Sequence, residues 1–116
     1  MVSDTRGEAA ASATDFHELA PDTILDAVES AGLVPRGGLL ALNSYENRVY
    51  RIDLEDAAPV VAKFYRPARW SDATILEEHA FSLELAAEEL PVVAPMVFDG
   101  ATLLRFAGHR FAVYPS

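Results

Sequence analysis

Cysteine is absent from this chain of 116 residues, tryptophan occurs once and histidine three times. Without cysteine there is no disulfide and no thiolate metal site, which fits a cytoplasmic protein. His17, His79 and His109 share no ligand spacing, so no zinc site is expected. Long apolar runs are also missing. None approaches the roughly 20 residues of a membrane helix, and no signal-peptide pattern opens the chain. Positive charge is scarce as well: 9 Lys and Arg face 18 Asp and Glu, for a net charge of −9. Such a surface argues against a general binder of nucleic acid or anionic membrane. What remains is ample apolar content, 51% of residues, enough for the core of one compact domain. Of the basic residues eight are arginine; Lys63 is the single lysine.

Residues 1–19 are rich in Ala, Ser, Thr and Asp without sustained periodicity and read as a flexible leader to a domain over 20–116. From Pro21 to Ala31, Ile24, Leu25, Val28 and Ala31 recur at helical spacing, with Pro21 suited to a first turn and Gly32 to a stop. Strand patterns follow at Leu39–Asn43, Arg48–Leu54 and Val60–Arg66, joined by Ser44–Asn47 and Glu55–Pro59. A long helix capped by Ser71 or Asp72 is expected to reach about Leu90, before Pro91. Met96–Phe98, Thr102–Phe106 and Arg110–Tyr114 read as further strands separated by Asp99-Gly100 and Ala107-Gly108 turns. The expected fold is α+β, with an antiparallel sheet of five to six strands, one long helix between strands 3 and 4, and a short N-terminal helix.

Charge is uneven: residues 1–34 and 71–90 each sum to −6, whereas 35–70 sum to +2. If an anionic ligand binds, the three-strand meander is therefore where it is expected. Alternation there places Val61, Lys63 and Tyr65 on one strand face. A lysine among valines and aromatics is either a stem snorkelling to solvent or an ammonium held for an anion such as phosphate. In the long helix, Leu76, Ala80, Leu83, Ala87 and Leu90 cluster within about 40° of one line and are expected to pack on the sheet. Glu78 shares the opposite side with Phe81 and Leu85. It is either an ordinary surface carboxylate or the partner of a cation, and Lys63 is the natural candidate. Trp70, beside Arg66 and Arg69, reads as a loop anchor, and His79 as a hydrogen-bonded packing residue.

These segments resemble the N-terminal lobe of the aminoglycoside-phosphotransferase and choline-kinase group of kinase-like enzymes. The resemblance rests on Leu42-Asn43-Ser44-Tyr45-Glu46-Asn47-Arg48-Val49-Tyr50 and Val61-Ala62-Lys63-Phe64-Tyr65-Arg66-Pro67. It continues through Arg69-Trp70-Ser71, Ile75-Leu76-Glu77-Glu78-His79-Ala80-Phe81, Pro91–Pro95 and Phe111–Ser116. The Phe-Tyr-Arg-Pro and Ile-Leu-Glu-Glu-His stretches are similar to the bacterial stress-response-kinase branch, whose members are serine/threonine protein kinases.

The resemblance implies that Lys63 contacts the phosphates of ATP, with Glu78 as its ion-pair partner. It places Ser44 and Asn47 in the phosphate-covering loop, which lacks the glycines of eukaryotic protein kinases. Val49 and Val61 would roof the adenine, and Tyr114, Pro115 and Ser116 would begin the hinge. The family's catalytic Asp and its magnesium ligands belong to a C-terminal lobe, and no equivalent occurs in these residues. The 116 residues are thus expected to be an ATP-binding lobe truncated at the hinge, inactive alone, with that second lobe packing on the Phe81/Leu85 face and a protein substrate in the full-length form. Self-association through the open adenine face is expected of the isolated lobe. The alternatives are a kinase of small hydroxylated molecules and a non-catalytic binding module.

Overall fold

A computed structural model describes residues 19–42 and 47–116. Helix α1 spans Pro21–Ser30, with Pro21 in its first turn and Asp22 at the favourable end of the dipole. Gly32, at φ 101°, carries the chain out of it. Strands β1 (Pro35–Leu42), β2 (Arg48–Leu54) and β3 (Ala57–Phe64) form an antiparallel meander. Helix α2 (Asp72–Ala87) follows, then β4 (Leu104–Phe106) and β5 (His109–Pro115). The sheet runs β1-β2-β3-β5-β4, with β5 inserted against β3. Among the described residues, five antiparallel strands and two helices make the α+β fold expected from the sequence.

Several boundaries differ, each for a local reason. β1 starts at Pro35 rather than Leu39, with a register shift between those residues. Gly38 lies so close to the Asp53 carboxylate that an added Cβ would sit 2.5 Å from it. β3 starts at Ala57 because Glu55 and Asp56 alone make the turn, Asp56 taking the left-handed φ of 54°. Met96–Phe98 is not a sheet strand. Phe98 bridges Ala101 around Asp99 and Gly100, both with positive φ, and the Met96 amide donates to the Val113 carbonyl.

Helix α2 begins as expected, with the Ser71 hydroxyl accepting from the Thr74 amide. It ends at Ala87 rather than Leu90. Glu89 turns left-handed at φ 64°, while the Leu90 and Glu89 amides bond back to the carbonyls of Leu85 and Ala86. That is the Schellman closure, usually made with glycine.

Two apolar layers result. One sheet face packs under α1, where Ile24, Val28, Ile52, Phe64, Phe111 and Val113 are essentially inaccessible. Phe64 and Phe111 stack with centroids 5.0 Å apart. The other face meets α2 at one end only, through Tyr65, Ile75 and Ala112. The stripe expected to pack α2 on the sheet is not the one used: Leu76 and Leu90 are 45% and 46% exposed. Ile75 and His79 turn inward instead, one helical turn apart. Apolar residues surround this helix too evenly for hydrophobicity to select a face, and a buried polar contact does so.

Candidate functional site

The site forms where β3 runs into the loop leading to α2. Register pairs Lys63 with Val49 on one side and Ala112 on the other, and pairs Val61 with Arg51 and Tyr114. Directly paired residues share a face. Val49, Val61, Lys63 and Tyr114 therefore occupy a single sheet face, the one not covered by α1. Pro115 pairs with Val60 and so belongs to the opposite face. The Ser116 amide donates to the Pro59 carbonyl, and its hydroxyl accepts from Arg51 Nε at 3.3 Å. Ser44 lies outside the described residues.

Beside this face opens a cavity of about 230 Å³, lined by Asn47, Lys63, Tyr65, Trp70, Thr74, Ile75 and Glu78. Three of the residues selected from the sequence, Asn47, Lys63 and Glu78, thus converge. Glu78 is not on the back of α2. With Ile75 and His79 facing the sheet, Glu78 falls about 60° to one side of Ile75 on the helical wheel, on the flank of the buried face, and lines the cavity. Among the described residues no Lys63–Glu78 contact closes to ion-pair distance. The Lys63 ammonium instead sits 5.3 Å from the centroid of the Tyr65 ring.

Asn47 fixes the entry to the cavity, its side-chain oxygen accepting from the Arg66 amide at 3.2 Å. Trp70 forms the far wall, with the Arg69 guanidinium 4.6 Å from its ring centroid. The loop is fastened from behind by Arg110. Its guanidinium donates to the Trp70 carbonyl at 2.7 Å, to Asp72 Oδ1 at 2.9 Å and to the Arg66 carbonyl at 3.4 Å. Arg105 makes a second ion pair with Asp72. The hydrogen bond from Arg110, helped by the Arg105 charge, holds the Asp72 carboxyl below its usual range.

Under the cavity lies a polar cluster that sequence reading recovered only as a hydrogen-bonded His79. The imidazole is 2% exposed, with Nε2 2.8 Å from the Tyr65 hydroxyl and Nδ1 2.8 Å from Thr102 Oγ1. The Tyr114 ring stands edge-on to it. Burial lowers the His79 pKa, with the Lys63 charge adding to the effect and Glu78 opposing it. Burial likewise raises both the Tyr65 and Tyr114 phenols. The folded state therefore keeps these phenols protonated after the unfolded chain has begun to ionise near pH 10. Their stabilisation is complete below that pH and is lost as pH rises past it. In an alkaline titration, tyrosinate absorbance from Tyr65 and Tyr114 is expected only together with loss of helical circular dichroism. Ionisation of either near pH 10 in the folded protein would contradict their burial.

No group of three or more His, Asp and Glu residues among the described residues is placed to hold a metal ion. No described helix is long and apolar enough to cross a membrane. The chemistry on hand is one ammonium, one carboxylate and one amide at the mouth of a half-apolar cleft. Of these, the ammonium and the amide N–H groups can hold an anion.

The chain is 53% identical over 105 residues to stress response kinase A of Escherichia coli K12, covering 90% of this chain and 32% of that protein. It is 52% identical over 101 residues to serine/threonine protein kinase RdoA of Salmonella typhimurium LT2, covering 87% of this chain and 31% of the relative. The chain thus spans about a third of the length of the curated relatives it matches. The pattern of the phosphotransferase enzyme family fits residues 38–116, which include all five strands but the start of β1, the whole of α2 and every residue lining the cavity. This chain belongs to the phosphotransferase enzyme family.

Proposed function

We propose that these residues form the ATP-binding lobe of a serine/threonine protein kinase of the stress-response type, acting in the cytoplasm. The observation that carries the reading is the convergence of Lys63, Asn47 and Glu78 on one cavity, next to the sheet face bearing Val49, Val61 and Tyr114. Lys63 grips the phosphate oxygens, Glu78 orients the ammonium, and the segment around Ser44 and Asn47 covers the phosphates. Val49 and Val61 roof the adenine, and the backbone over Tyr114–Ser116 begins the hinge that reads its edge.

The described residues fit the nucleotide but not its metal, since no carboxylate cluster is present to hold magnesium. The magnesium ligands and the Asp base are assigned to the remainder of the full-length enzyme. Phe81, 60% exposed on the outer side of α2, and the half-buried Leu85 are assigned to contact with that remainder.

The test is phosphoryl transfer by the full-length protein from γ-labelled ATP, offered both a protein acceptor and small hydroxylated acceptors. Label is expected on serine and threonine of protein. Label confined to the small molecules would replace this reading with that of a small-molecule kinase. Absence of transfer to any acceptor would overturn the enzymatic reading.

A further inference from the structure

Helix α2 is weakly held. Only Ile75 and His79 are buried along its length, and Leu76 and Phe81 face outward. A helix docked through so few side chains can roll about its axis. A roll of about 20° would move a side-chain end by roughly 2 Å, given the helix radius plus a side chain. Glu78 precedes His79, so any roll changes the reach of its carboxylate toward Lys63.

His79 opposes that roll. Its two ring nitrogens bond to two different elements, the end of β3 through Tyr65 and the segment before β4 through Thr102. Bonds on opposite edges of a rigid ring remove the rotation that one bond would leave. Tyr65 also carries the Lys63 ammonium on its ring, so one residue touches both the clamp and the cation. The neutral imidazole favoured by burial supplies one donor and one acceptor, which the two hydroxyls can complement.

From this we propose that His79 is a positioning residue, clamping α2 between Tyr65 and Thr102 so that Glu78 is presented to Lys63. The inference rests on the reading of Lys63 and Glu78 as the ATP grip. A purely structural histidine would support stability independently of Glu78, whereas a positioning residue acts through it.

A double-mutant cycle on the full-length enzyme separates the two. Thr102→Val removes one hydroxyl with little change of shape and is expected to lower kcat/KM for ATP about 5- to 20-fold, the effect of one lost buried hydrogen bond. Combined with Glu78→Gln, it is expected to add no more than a twofold further loss. Tyr65→Phe, which keeps the ring beneath Lys63, should behave alike and serves if Thr102→Val does not fold. The proposal is overturned if the folded variant stays within twofold of wild type, or if its loss multiplies that of Glu78→Gln. If Glu78→Gln alone costs nothing, the ATP grip itself is refuted and His79 has no such role.

Discussion

Lys63→Ala in the full-length enzyme is expected to lower phosphoryl transfer about 100- to 1,000-fold, the usual loss when one preorganised charge-stabilising donor is removed. The protein should remain folded. Lys63 is held in β3 by backbone pairing to Val49 and Ala112, and its side chain faces the cavity. The stability lost is that of its contact with the Tyr65 ring, about 0.5–2 kcal/mol. No other ammonium can substitute from within these residues, since lysine occurs once. Arginine at this position would carry the charge on a longer, planar group rather than a compact ammonium. Transfer rates and a thermal melt measured on the same preparation decide the matter: near-native activity refutes the role given to Lys63.

The largest effect on stability is expected from Phe64→Ala. Phe64 is fully buried, stacked on Phe111 and edge-on to Tyr50 and His109. Truncating such a ring costs about 3–5 kcal/mol through lost burial and the cavity left behind. Against a total stability of about 5–15 kcal/mol, the variant sits close to unfolding. Its melting temperature should fall by at least roughly 10 °C. Measured on the 116-residue chain, Phe81→Ala is the matched control: that ring is 60% exposed, and its removal should change stability by no more than about 0.5 kcal/mol. Calorimetry of the two variants ranks them directly. A Phe64→Ala melt within a few degrees of wild type would contradict the core described above.

Much of this fold could be read in the sequence where a single local rule was decisive. Arg48–Leu54 alternates so regularly that β2 has the expected bounds, and Ser71, one of the two expected caps, caps α2. The failures occur where a distant partner decides. Ala57, Ala58 and Pro59 look like a loop, yet they belong to β3: a two-residue turn delivers Ala57 opposite Leu54, and the Pro59 carbonyl accepts from the Ser116 amide. The face of α2 was misjudged because leucine and alanine surround it, whereas the buried face is chosen by His79. Its partners, Tyr65 and Thr102, lie 14 and 23 residues away in the chain.

The candidate site was legible for a related reason. A lone lysine in a strand stands out in an acidic sequence, and alternation already placed Val61, Lys63 and Tyr65 together. Glu78, expected on the back of the helix, lies instead on the flank of the buried face and lines the cavity, without reaching ion-pair distance of Lys63. Trp70 and Thr74 were missed as lining residues: no periodicity marks a loop wall, and Trp70 is brought in by the Arg110 bond to its carbonyl.

The central claim, that the Lys63 ammonium lies where the phosphates of ATP bind, is tested most directly by an acyl-phosphate derivative of ATP. Such a reagent acylates a lysine amine placed against its phosphates. Applied to the full-length protein and read by peptide mass spectrometry, it is expected to label Lys63, with excess ATP protecting against the label. Absence of modification at Lys63, or labelling that ATP does not suppress, would contradict the account.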